Sequence, residues 1–237
     1  MKLSSFEEIF SILDACHGEF PSKCITFVNP TNFFEIQELE LDQKFDVIFS
    51  DGFLLCFMEN LLTQGKRLKR ASFDYSSIAG IVFNHAVNKK LTVGIIGARE
   101  AELGQAITNI RKNHQNINIK FFHDGFYCES EEPEIIGKLS GLDLIIIGMG
   151  FPRQDYLALK IKDFNQNNTL IFTCGGFLTQ TARSVSYYSD YVNKFELRWF
   201  VRAIRHSHVR KKLRNQYPKF MFKYTALLLK KWRKISE

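Results

Sequence analysis

Six short apolar runs, each ending in glycine or a small polar residue and mostly separated by helical periodicity, constrain this chain more than any other feature. They are "CITFVNP" (24–30), "FDVIFSDG" (45–52), "LTVGIIGA" (91–98), "INIKFFHDG" (117–125), "LDLIIIGMG" (142–150) and "TLIFTCGG" (169–176). They are rich in Val, Ile and Phe and show little alternation. Strands apolar on both faces suit a parallel sheet covered on both sides. Helical spacing of apolar residues marks 53–64, 75–89, 100–114, 132–139 and 153–164. The alternation predicts a doubly wound, Rossmann-like α/β fold with a mostly parallel sheet.

In such a sheet ligands bind beyond the carboxyl ends of the strands. The run ends are Asn29-Pro30, Ser50-Asp51-Gly52, Gly97-Ala98-Arg99, Asp124-Gly125, Gly148-Met149-Gly150 and Gly175-Gly176. Any one of them serves equally as an ordinary turn. Taken together they predict one crevice carrying acidic and amide groups. "GMGFPRQD" (148–155) is its most distinctive wall: a strand-to-helix turn whose glycines let a ligand approach backbone. A dinucleotide fingerprint is absent, because the third glycine of G-x-G-x-x-G is missing and no acid ends the next strand. That disfavours a nicotinamide oxidoreductase. No Walker A loop is present either.

Charge separates two regions. Residues 198–237 hold 13 of the 32 Lys and Arg residues and one of the 25 acids. A mildly acidic body, 1–195, is therefore expected to carry a basic helical C-terminal appendage, 196–237, that seeks phosphate groups. A nucleic-acid partner is not expected, since RNA-binding signatures are lacking and the strand ends look like a small-molecule site. No stretch of about 18 apolar residues occurs, so no membrane span is expected. Acids interrupt the N-terminal "MKLSSFEEIF" where a signal peptide needs an apolar stretch. Five scattered cysteines without a C-x-x-C read as thiols in a reducing compartment, and no metal site is expected.

Several segments resemble the WecG/TagA/CpsF glycosyltransferases. "IIIGMGFPRQDYLA" is similar to that family's G-x-G-x-P-[KR]-Q-E-x-W segment. "DVIFSDGFLL" resembles its A-D-G-x-G stretch, "LKRASFD" the Arg-containing segment after it, "VNP" its N-[AP] turn and "ELRWFVRAI" its E-W-L-x-R signature. Leu54 stands where the family has the second glycine of D-G-x-G, and "GGFLTQTA" lacks the Asp often found after the last strand.

The resemblance implies an inverting transferase that moves a sugar, an N-acetylmannosamine-like hexosamine or uronic acid, from a UDP-sugar donor to a polyprenyl-diphosphate-linked acceptor. It implies a cytoplasmic protein, peripheral at the inner face of the membrane. A homo-oligomer stays open, and no cofactor is implied. Asp51 falls on the family's catalytic position, where it would act as base; capping the following helix is its ordinary alternative. Asp124 is a rival base, or an Asp-Gly turn. Asn29 would meet the acceptor, or simply form a turn. Gln154 would orient a sugar or uracil edge, unless it is a surface helix residue. Gly148, Gly150, Gly175 and Gly176 would admit the nucleotide. Arg70 would hold phosphate, although its run with Lys66, Arg67 and Lys69 reads by default as a solvated face. No D-x-D pair is present to hold a divalent ion; the resemblance matches Arg202, Arg210 and Arg214 to the family's tail arginines, which implies that they supply charge at the diphosphate and that the reaction is metal-independent. The segment 217–234 is expected to lie on an anionic membrane, or to pack as an ordinary amphipathic helix.

Overall fold

A computed structural model describes residues 1–15, 18–61, 67–183 and 207–235, with side chains of the last helix described from 214 to 229. All six apolar runs form strands: β1 (Lys23–Val28), β2 (Val47–Ser50), β3 (Thr92–Gly97), β4 (Asn118–His123), β5 (Leu144–Gly148) and β6 (Leu170–Thr173). They make one sheet in the order β2-β1-β6-β5-β3-β4, and every pairing is parallel. All six carboxyl ends therefore lie along one edge, as the run endings require.

The helices are α1 (Glu8–Asp14), α2 (Glu35–Glu38), α3 (Phe53–Asn60), α4 (Ala79–Asn88), α5 (Glu100–Asn113), α6 (Glu132–Lys138), α7 (Arg153–Phe164), α8 (Phe177–Arg183) and α9 (Ser207–Ile235). They cover the sheet in two layers. One core joins α1, α4, α5 and α8 to residues such as Leu144 and Ile146. The other joins α2, α3, α6, α7 and α9 to Ile145 and Ile147. Successive residues of β5 thus feed opposite layers, which is why that run is apolar throughout.

The edge strand β4 departs from the expectation of burial on both faces. Its Lys120 is exposed and Phe122 is largely so. A strand with one neighbour needs less cover. Helix α4 begins later than the expected residue 75, because Asp74 accepts backbone bonds from Ser77 and Ala79 in a preceding turn. The short helices α1, α2 and α8 were too brief to stand out by periodicity.

The expected division at 195/196 falls outside the described residues. The helix beyond it does not stand off from the body. Phe220 and Tyr224 are buried against Phe33 and Phe34, with Phe33 ring centroids 5.8 and 5.3 Å from theirs. Lys223 adds a bond to Glu38 at 3.2 Å. One face of 217–229 is therefore core, while Phe222 and Leu229 point outward. Deleting 217–237 would strip a buried face as well as any membrane contact. Phe220→Ala is expected to cost about 3 kcal/mol, the usual loss for a buried aromatic ring. Denaturant unfolding of that variant beside Phe222→Ala checks this. Equal stability of the two would show that the helix face is not part of the core.

Candidate active site

The richest polar cluster stands at the β2 end. The Asp51 N–H donates to Val28 O at 2.7 Å, which fixes it beside the end of β1. The Ala71 N–H donates to Ser50 O at 2.9 Å and brings Arg70 alongside. One Arg70 nitrogen, Nη2, lies 3.0 Å from Asp51 Oδ1, 2.6 Å from Ser72 Oγ and 3.2 Å from Asp74 Oδ2. Side-chain exposure is 16% for Arg70 and 30% for Asp51. So Arg70 is not a solvated member of its basic run. It is held by two carboxylates, and Asp51 keeps an open side. The Ser72 and Asp74 partners of this arginine were not picked out from the sequence; a carboxylate four residues from Arg70 was the available signal.

Asn29 sits next door, just past the end of β1. Its Oδ1 accepts from the Thr31 N–H at 2.9 Å and the Thr31 hydroxyl at 2.6 Å, and its own N–H donates to Asn32 Oδ1 at 2.8 Å. The turn-forming role is thus realised. The ring of Pro30 closes the turn against Gly52, leaving a Cβ there only 3.2 Å from Pro30 Cδ.

Asp124 lies elsewhere. Strands β2 and β4 occupy opposite edges of the sheet, so five strand spacings, about 24 Å, separate their ends. Asp124 Oδ1 accepts from the Phe126 N–H at 2.7 Å in an ordinary turn. The sheet does not bring it to the Asp51–Arg70 cluster.

The glycines between divide into two kinds. Gly148 is filled by protein: a Cβ there would lie 2.8 Å from Cys174 Sγ and 3.0 Å from Gly175 O. Gly150 and Gly175 have φ of +83° and +52°, and the space where a Cβ would point is open. These two suit the approach of a ligand to backbone. At Gly176 a Cβ would sit 3.4 Å from Gln180 Nε2, a tight ordinary neighbour.

Gln154 is 5% exposed and is no surface residue. Its Oε1 accepts from the Gly150 N–H at 3.2 Å and the Gly175 N–H at 3.1 Å, pinning the two open turns together. Its immediate job is to shape both turns. Of the tail arginines, Arg202 lies outside the described residues, Arg210 is placed only by the backbone of α9, and Arg214 is exposed.

Asp155 had drawn attention only as a family match. It is 1% exposed beneath the turn. The Thr26 hydroxyl of β1 lies 2.6 Å from its Oδ1 and 2.9 Å from the Thr173 hydroxyl of β6, while Asp155 Oδ2 has no hydrogen-bond partner among the described residues. Burial pushes its carboxyl from 3.8 up to about 6, against the Thr26 bond that holds it down. A raised acid pKa contributes stability below the unfolded value and loses it as pH rises through the folded value. The contribution is therefore full below about pH 4 and gone above about pH 6, a loss of roughly 3 kcal/mol. Asp155→Asn is expected to remove this dependence, so its Tm should gain on the parent's between pH 4 and 7. Parallel Tm profiles would refute it.

Among the described residues no helix is long and apolar enough to cross a membrane. A family model described as "Glycosyl transferase WecG/TagA/CpsF family" matches residues 2–235. A UDP-Gal:alpha-D-GlcNAc-diphosphoundecaprenol beta-1,4-galactosyltransferase of Shigella boydii is 41% identical over 204 residues, 85% of each chain. An N-acetylglucosaminyldiphosphoundecaprenol N-acetyl-beta-D-mannosaminyltransferase of Bacillus spizizenii is 21% identical over 159 residues, 67% of this chain and 60% of that one.

Proposed function

The chain belongs to the WecG/TagA/CpsF glycosyltransferase family, and from that premise we propose that it transfers galactose from UDP-galactose to the terminal N-acetylglucosamine of a polyprenyl-diphosphate acceptor. Galactose is preferred here to the mannosamine-like sugar expected from the family resemblance, because the galactosyltransferase is 41% identical over 85% of the chain and the mannosaminyltransferase 21% over 67%.

The observation that carries the mechanism is the half-open Asp51 carboxylate beside Arg70. An acceptor hydroxyl attacks C1 of the donor sugar. The bond from C1 to the β-phosphate oxygen breaks, UDP leaves with the electron pair, and the hydroxyl proton passes to Asp51. Arg70 fixes the carboxylate in place and adds positive potential near the developing phosphate charge. The open turns at Gly150 and Gly175 admit the donor, with Gln154 holding both. Tail arginines Arg202, Arg210 and Arg214 supply further charge to the diphosphate. The outward face of α9, with Phe222, Leu229 and Lys219, rests on the anionic membrane that carries the acceptor.

The test is a donor screen with a lipid-linked N-acetylglucosamine acceptor, reading UDP release. UDP-galactose should be used at least tenfold faster than UDP-N-acetylmannosamine. The reverse order would restore the mannosaminyl reading. Activity should persist in excess EDTA; a requirement for added Mg²⁺ or Mn²⁺ would remove arginine as the substitute for metal.

A further inference from the structure

A groove of about 680 Å³ opens at the β2 edge, between the Phe6 segment of one layer and α3 of the other. Its α3 wall is unusual. Phe53, Phe57 and Leu61 are 52%, 49% and 59% exposed, although Leu55 and Met58 of the same helix are buried in the core. The spacing of four places the three on one stripe, and the Phe53 and Phe57 rings are stacked at 6.1 Å. The stripe begins two residues after Asp51 and runs roughly 12 Å away from it. Leu68 adds to the apolar lining. Among the described residues, the charged side chains lining the groove are Arg67, Lys69 and Arg70; Lys69 pairs with Glu7, and Arg70 with Asp51 and Asp74.

We propose that this groove is the acceptor's lipid subsite: it takes the first isoprene units of the polyprenyl chain, with the diphosphate at the basic rim and the sugar at Asp51. The assignment rests on the lipid-acceptor reading above. The chemistry fits in kind. A prenyl-diphosphate sugar carries a hydroxyl, two anionic phosphates and a branched hydrocarbon. The protein presents a carboxylate, cations and an apolar stripe around one groove. An aqueous sugar-nucleotide would leave the stripe uncovered, whereas a hydrocarbon chain would remove it from water.

The experiment compares two acceptors that share the sugar diphosphate, one with a long prenyl chain and one with a two-carbon tail, both in the same detergent. Phe57→Ser/Leu61→Ser alters exposed positions, and circular dichroism and Tm verify its fold. The double variant should raise KM for the long-chain acceptor at least tenfold. KM for the short acceptor, KM for the donor and kcat should stay within twofold of the parent. Equal effects on both acceptors, or none, would overturn the subsite. A drop in oligomeric mass of the double variant by light scattering, with long-chain KM unchanged, would assign the stripe to a second copy of the chain and overturn it as well. If the parent itself transfers sugar to neither acceptor, the functional reading fails rather than the groove.

Discussion

Asp51→Asn is expected to slow transfer about 10²–10⁴-fold with donor binding unchanged, the range typical of a lost general base. The amide keeps the shape of the side chain and can still accept from Arg70, so the cluster with Ser72 and Asp74 should stay assembled. Steady-state rates with saturating donor and acceptor, and calorimetric binding of UDP, check the two halves. Asp124→Asn is the control, since Asp124 sits about 24 Å off at the far edge of the sheet. Its rate should stay within severalfold of the parent. A slow Asp124 variant beside a fast Asp51 variant would exchange their roles.

The second large effect is on stability. Gly97→Ala would place a Cβ 2.2 Å from Gly148 O and 2.5 Å from its carbonyl carbon, at a φ of +140°. Both obstacles are backbone at paired strand ends, where Gly97 opposes Gly148, and neither can swing aside as a side chain would. Overpacking and backbone strain together are expected to cost about 4 kcal/mol. That corresponds to a Tm fall of roughly 8–16 °C for a chain of this size. Gly104→Ala, at a helix position with no atom within 4 Å of the added carbon, should be neutral or slightly stabilising. A Gly97→Ala protein that melts with the parent would mean that β3 and β5 separate at their ends without cost.

How much of this was legible beforehand follows from range of interaction. The strands announced themselves because burial on two faces leaves a contiguous apolar run, as in β5. Helix α7 matched its expected limits because its apolar spacing is local. The strand order was not legible. No local signal puts the second run at one edge and the fourth at the other, yet that order decides that Asp51 and Asp124 cannot share a centre. The family resemblance singles out Arg70 as a phosphate holder, but its pairing with Asp51 was not legible, for the same reason. Its neighbours in sequence are basic, and only the Ala71–Ser50 backbone bond turns it toward Asp51. Gln154 reads as a ligand-orienting residue, with a surface helix position as the alternative; its burial was not legible, because the loop after β6 that folds over it is distant in sequence. Phe220 and Tyr224 carry the spacing of an amphipathic helix, and spacing alone does not say whether lipid or protein meets that face.

The contact between α9 and the Asn29 turn has a consequence for timing. The Phe33 N–H donates to Asn29 O at 3.0 Å, and the Phe33 ring is the seat of Phe220 and Tyr224. A turn made early in synthesis is thus backed by residues made much later. Chains fold from the N-terminus as they emerge from the ribosome. A nascent chain with β1 and β2 already paired would carry an Asn29 turn with no support behind it. Full rigidity of that corner waits for α9, so the side chains around Asp51 are held from behind only once that helix has docked.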